Sequence, residues 1–209
     1  TSSVPAQWFV PTILSGFLKK NVNTQVEMTS ADSLDIIRRV KEGSLDIGFV
    51  GTKVEKQCKY IPLIKDHLVL APNTKKYQKI FSGESDSGES DLRQILEAPF
   101  LARRQYSGTM KEALGSLKYF GIEEEDLNII ATFDSAEMLR DCVEAGMGIS
   151  ILSYQMIREL HESGKILIYR LPEKEFCREL YLIYKNESFL PEIVKKFIHY
   201  TEKCFKKEF

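Results

Sequence analysis

The sequence predicts an α/β protein of two similar halves, and two observations carry that prediction. Short apolar runs alternate with amphipathic stretches along the whole chain, which favours a largely parallel sheet with crossover helices. Each half also has a turn that carries hydroxyls into the start of a helix, at Ser2 and Ser3 and again at Ser107 and Thr109. With 43% hydrophobic residues in 209, the chain can bury one large core or two small ones.

In the first half, Ser2, Ser3, Val4 and Pro5 form a polar opening turn. Trp8, Phe9, Val10, Ile13, Leu14, Phe17 and Leu18 follow at helical spacing. Pro11 starts or kinks that helix, and Lys19 and Lys20 suit the dipole of its last turn. Residues 25–28 alternate like a half-buried strand. Asp32 or Ser33 caps a helix that buries Ile36, Ile37 and Val40 and stops at Gly43. Residues 45–50 read as a strand turning at Gly51 and Thr52, and 60–64 and 68–71 as two more. Residues 82–91 (SGESDSGESD) contain nothing to bury and read as a surface loop, without the spacing of a calcium loop.

In the second half, 98–109 (APFLARRQYSGT) reads as a strand over 99–102, a polar turn and the start of a helix. That helix runs from Thr109 to about Phe120 with Met110, Ala113, Leu114 and Leu117 on one face, and stops at Gly121. Residues 127–131 form a strand. Asp134 and Ser135 cap a helix with Leu139, Cys142 and Val143 inward and Gly146 at its end. Residues 148–152 are a strand, followed by a helix through Met156, Ile157 and Leu160. Two further strands span 166–169 and 180–184. The last helix starts at Pro191, carries Ile193, Val194, Phe197 and Ile198, and ends in a basic, solvated stretch over 203–207.

The junction at Ser107, Gly108 and Thr109 is the feature that bears on function. The first N–H groups of a helix lack partners and its dipole favours negative charge, so such a start can hold an anion. Arg103 and Arg104, just upstream, add positive charge. Ser107 or Thr109 can equally serve as a plain helix cap. Ligands of open α/β sheets sit beyond the carboxyl ends of strands, where these turns fall.

Several function classes find no support. A net charge of −1 argues against a surface that grips nucleic acid by itself. No apolar run approaches the roughly 20 residues of a membrane span, and the chain opens without a basic, signal-like region. Cys58, Cys142, Cys177 and Cys204 lack metal-ligand spacing, and Cys142 and Cys204 read as small hydrophobes on helix faces. Reduced cysteines suit a cytoplasmic protein. His67, His161 and His199 stand apart from any nucleophile motif, and no cofactor or metal signature occurs, so neither a cofactor nor catalysis is expected.

Four segments, in order, resemble the effector-binding domain of LysR-type transcriptional regulators over nearly the whole chain. They are TSSVP with FVPTIL (1–5 and 9–14), VKEGSLDIGFV (40–50), EAPFLAR through SGT (97–109), and VEAGMGISIL (143–152). Tyr106 stands where many members have glycine, and Ser153 where proline is usual.

The resemblance implies a fold like the type II periplasmic binding proteins: two Rossmann-like subdomains joined by two crossover strands. Subdomain I would be 1–71 plus 170–209 and subdomain II 72–169, with crossovers near 68–72 and 166–171. It implies that Ser2, Ser3, Val4 and Thr52 from the first subdomain would bind an effector in the cleft, with Arg103, Ser107, Gly108, Thr109 and Ser135 from the second. The effector would be a small anion, a sulfate-like oxyanion or a carboxylate. The family further implies a homodimer, a tetramer in the intact regulator, and DNA binding only through an N-terminal winged helix-turn-helix that this stretch lacks. A start at Thr1 looks like the end of the family's first strand. Alternatives are a solute-binding protein of the same fold, which would need a secretory signal, and a thiol redox sensor, which would need two cysteines within bridging distance.

Overall fold

A computed structural model of the chain describes residues 1–54, 58–77, 89–104, 107–172, 174–185 and 190–208. Contacts divide it into two units, Thr1–Lys65 with Glu179–Phe209, and Asp66–Arg178. In chain order the helices are α1 (Ser3–Gln7), α2 (Val10–Lys20), α3 (Ser33–Glu42), α4 (Thr74–Tyr77), α5 (Glu89–Leu96), α6 (Gly108–Lys118), α7 (Ala136–Glu144), α8 (Tyr154–Glu162) and α9 (Glu192–Glu208). The strands are β1 (Ile47–Val50), β2 (Lys59–Ala71), β3 (Phe100–Arg103), β4 (Ile129–Phe133), β5 (Ser150–Ser153), β6 (Tyr169–Arg170) and β7 (Cys177–Tyr184). Both β2 and β7 start in one unit and end in the other, so two strands carry the chain across. The second of them lies later in the chain than the 166–171 stretch that the sequence suggested.

In the first unit the opening residues expected as a polar turn enter a short helix, α1, and the helix expected through 8–18 is α2, which starts only at Val10, after a turn at Trp8 and Phe9. Pro11 sits in the first turn of α2, where a missing N–H costs nothing. The α3 helix ends as predicted on Gly43, whose φ of 80° is the left-handed cap that glycine alone adopts without strain. Asp32 occupies its N-cap position without a side-chain cap bond. Ser33 instead turns its hydroxyl to accept the Gly51 N–H at 3.2 Å. Strand β1 pairs antiparallel with β7, from Ile47↔Tyr184 to Val50↔Tyr181. One core gathers Ile36, Ile37, Val40, Val50 and Ile183. Edge-to-face rings join Phe9 to Phe205 (5.0 Å) and Phe17 to Phe197 (4.9 Å), fixing α9 against the opening helices.

The strand expected over 25–28 is not assigned. The two strands expected over 60–64 and 68–71 are one, β2, because the polar residues between them continue the strand and Asp66 finds buried partners.

In the second unit, β2 pairs antiparallel with β5 (Leu68↔Ser153 to Ala71↔Ser150) and with β6. Strands β3 and β4 run parallel from Phe100↔Ile129 to Arg103↔Phe133, and Phe100 bridges Ile149 in parallel. Pairing is therefore mixed: parallel where helices connect strands, antiparallel along the crossing strands. Leu70, Phe100, Leu117, Ile122, Ile149 and Phe176 head a continuous buried core. Gly148 is needed there, since a Cβ would stand 2.4 Å from the Pro99 carbonyl oxygen. Of the predicted acidic loop, 82–88 lie outside the described residues, and from Glu89 the backbone is already helical in α5.

Candidate functional site

The parallel pair β3–β4 sets the geometry in the second unit. Arg103 and Phe133 are register partners at the ends of the two strands, and each strand leads into a helix, α6 or α7. Both helix starts therefore lie at the carboxyl edge of one small sheet, the usual place for ligands in α/β folds.

Ser107 is the N-cap of α6, only 2% exposed, and its Oγ accepts the Met110 N–H at 3.4 Å. Ser135 caps α7 in the same way, accepting the Met138 N–H at 3.1 Å and donating to Glu137 Oε2 at 2.7 Å. Both predicted capping roles are thus filled. Capping leaves the amides of the first turn: among the described residues those of Gly108 and Thr109 have no acceptor. An anion held by α6 would meet these two N–H groups before the hydroxyl.

Arg103 is buried and points along the sheet edge. Its Nε donates to the Phe133 carbonyl (3.3 Å) and its Nη2 to that of Asp134 (2.9 Å), so it ties the end of β3 to the turn that feeds α7. Its charge stays at the turn that opens α7. Arg104 behaves differently: it is exposed and lies 3.8 Å from an equally exposed Asp134, a pair of little energetic weight. Gln105 and Tyr106 lie outside the described residues.

In the first unit, Ser2 is the N-cap of the short helix α1, and its side chain makes no cap bond. Its backbone N–H donates to the Phe49 carbonyl at 2.8 Å, which places α1 at the end of β1. Val4 is buried, so only its backbone amide could serve a ligand. Thr52 follows β1 across Gly51. It is 3% exposed, and its Oγ1 has no hydrogen-bond partner among the described residues. A buried hydroxyl without a partner costs stability. The hydroxyl of Ser33 holds the Gly51 amide beside it.

Sequence reading missed the most enclosed charges of the second unit. Asp66, whose side chain is fully buried, accepts from Arg178 Nε and Nη2, both at 2.9 Å, and from Ser153 Oγ at 2.6 Å. The partners are 87 and 112 residues away in sequence, so no local pattern could have joined them. Ser153, at the usual proline position, has its reason here.

The four cysteines are thiols, and burial pushes that of Cys58 up, opposite to what a reactive thiolate requires. Among the described residues no cluster of histidine, cysteine and carboxylates could hold a metal ion, and no helix is long and apolar enough to cross a membrane.

Comparison with known proteins agrees with this architecture. The chain is 28% identical over 204 residues to an uncharacterized HTH-type transcriptional regulator of Methanocaldococcus jannaschii, MJ0300, covering 97% of this chain and 66% of that protein. It is 22% identical to the uncharacterized regulator YeiE of Escherichia coli, covering 96% and 66%. The chain thus spans about two thirds of the length of these curated relatives. Among solved structures, the regulatory domain of Synechocystis CcmR in complex with 2-PG superposes with a TM-score of 0.85 at 19% identity, covering 99% of this chain and 95% of that one. The effector-binding domain of QuiR in complex with shikimate gives 0.81 at 17%, covering 100% and 95%. The family model of the LysR substrate binding domain matches residues 1–204, and the chain belongs to that family.

Proposed function

We propose that this chain is the ligand-sensing part of a cytoplasmic LysR-type transcription regulator and takes a small anion as its effector. The carrying observation is the pair of helix starts at the carboxyl edge of β3–β4, with Gly108 and Thr109 amides that meet no acceptor among the described residues and the buried Arg103 at the turn that opens α7. The effector-binding set is Arg103, Ser107, Gly108, Thr109 and Ser135 in the second unit, and Ser2, Ser3, Val4 and Thr52 in the first. Two structural neighbours were solved with 2-PG and with shikimate, which supports a small polar metabolite. The effector would act by its differential affinity for two states of a homodimer, or of a tetramer in the intact regulator, whose DNA contacts come from an N-terminal winged helix-turn-helix.

The test is a thermal-shift screen against sulfate, thiosulfate, selenate, phosphate, acetylated amino acids and aromatic carboxylates, each run beside Ser107→Ala. A ligand at a hundredfold its Kd adds about 2.7 kcal/mol, a rise of roughly 5–10 °C. The rise is read against each variant's own baseline, because losing the cap alone costs about 1 kcal/mol. A selective rise that Ser107→Ala loses supports the site. Equal rises in both proteins would remove the Ser107 hydroxyl from the effector-binding set, and no rise with any of them would refute an anionic effector.

A further inference from the structure

The net charge of −1 conceals a segregation between the two units. The first holds 15 lysines and arginines against 11 aspartates and glutamates, and the second 14 against 19. Part of the first unit's excess gathers on α9. That helix turns Phe197, Ile198, Thr201 and Phe205 inward. Lys196, His199, Lys203 and Lys206 follow at intervals of three, four and three residues along its exposed side, a stripe of about 15 Å. Among the described residues no carboxylate pairs with any of the four, and Glu192 at the head of the helix is taken by Lys195 at 2.8 Å. Lys20, at the end of α2, reaches the same helix: its Nζ stands 5.1 Å from the centre of the Tyr200 ring.

A merely solvated helix face does not account for this arrangement. Such faces interleave both signs, and like charges three or four residues apart weaken a helix. The helix dipole favours Lys203 and Lys206 near the C-terminus but gives Lys196, in the N-terminal half, no help. Every exposed side chain described on α9 is a charged residue or the histidine. The face therefore lacks the aromatic or aliphatic anchors that a protein partner buries at its centre. What it offers is a row of ammonium groups, which suits a linear array of negative charge. Over about 15 Å of axis one strand of duplex DNA presents roughly four phosphates, against the ammonium groups of Lys20, Lys196, Lys203 and Lys206.

We infer that this face of α9 lies along the phosphate backbone of duplex DNA, a contact without sequence preference that adds to the regulator's specific one. The inference rests on the proposed regulator function, since a regulator seated on DNA keeps duplex at high local concentration around this unit. A whole-chain charge near zero does not oppose it. Salt screens charges more than about 10 Å away, so the nearest charges decide the contact.

The test is fluorescence anisotropy of a labelled duplex of about 24 base pairs and arbitrary sequence, titrated with the chain from about 20 to 150 mM salt. The parent should bind with a log–log salt slope of about −3 to −4, roughly one for each phosphate met. Lys196→Gln, Lys203→Gln and Lys206→Gln together should leave Tm unchanged, weaken binding about tenfold or more at the lowest salt, and flatten the slope by about 2 to 3. The same change at Lys75, Lys111 and Lys174 of the second unit should leave affinity within about twofold. No binding by the parent at the lowest salt, or a triple α9 variant that binds like the parent, would overturn the proposal. So would polyglutamate displacing the labelled duplex better than unlabelled duplex does at equal charge, which would make an acidic protein the partner. The anion screen reads separately: rises in Tm with small anions but no duplex binding would end this inference alone, and duplex binding without such rises would end only the anionic effector.

Discussion

Replacing Asp66 with asparagine probes the most enclosed ion pair among the described residues. The Asp66 side chain is fully buried and that of Arg178 is 6% exposed, so neither ion has water to fall back on. The carboxylate takes two guanidinium N–H groups at 2.9 Å and the Ser153 hydroxyl at 2.6 Å. Asparagine keeps the shape and removes the charge, which leaves a guanidinium buried without a counter-ion. Breaking a buried pair on one side costs about 3–5 kcal/mol. For a chain of this size that is a fall in Tm of roughly 6–20 °C. Asp66→Leu with Arg178→Met removes both charges and should recover most of the loss, since an apolar replacement of a buried pair is often neutral. Urea unfolding of the two single variants and the double gives the coupling by a mutant cycle. An Asp66→Asn variant within about 1 kcal/mol of the parent, or a double variant as unstable as the sum of the singles, would refute the reasoning.

Two other outcomes follow from the same structure. Thr52→Val removes an unpartnered buried hydroxyl, so the unliganded chain should gain about 1 kcal/mol in urea unfolding, while the anion-dependent rise in Tm should shrink. Gly148→Ala drives a Cβ to 2.4 Å from the Pro99 carbonyl, so the backbone linking β5 to β3 must shift; a loss of about 1–3 kcal/mol is expected, and an unchanged Tm would contradict the packing.

Local physics made much of the fold legible. The glycines at 43, 121 and 146 stop helices because each has positive φ, a requirement written in the residue itself. Ser107 and Ser135 cap the helices that their sequence context predicted, and the apolar spacing of Ile36, Ile37, Val40, Leu117 and Leu139 named the buried faces. Motif order then pointed to the family. Where a segment depends on its neighbour, the sequence read alone went astray. The stretch over 60–71 reads as two strands because Lys65, Asp66 and His67 interrupt the apolar pattern, yet Arg178 neutralises Asp66, Ser153 donates a hydrogen bond to it, and the strand runs on. Residues 25–28 carry a strand's alternation without a strand's hydrogen bonds, because a ladder needs a partner on the other side.

What the sequence by itself determined are the features governed by short range: helix periodicity, caps, glycine stops and the hydroxyl-bearing turns. Only the tertiary structure decided which groups meet. It joined Asp66 to a residue 112 positions away, set the two helix starts on one sheet edge through the Arg103↔Phe133 register, and left Thr52 buried without a partner among the described residues. Side-chain type fixes what a group can bond to, but distance and burial fix whether it does, and those arise only when segments far apart in the chain are packed together.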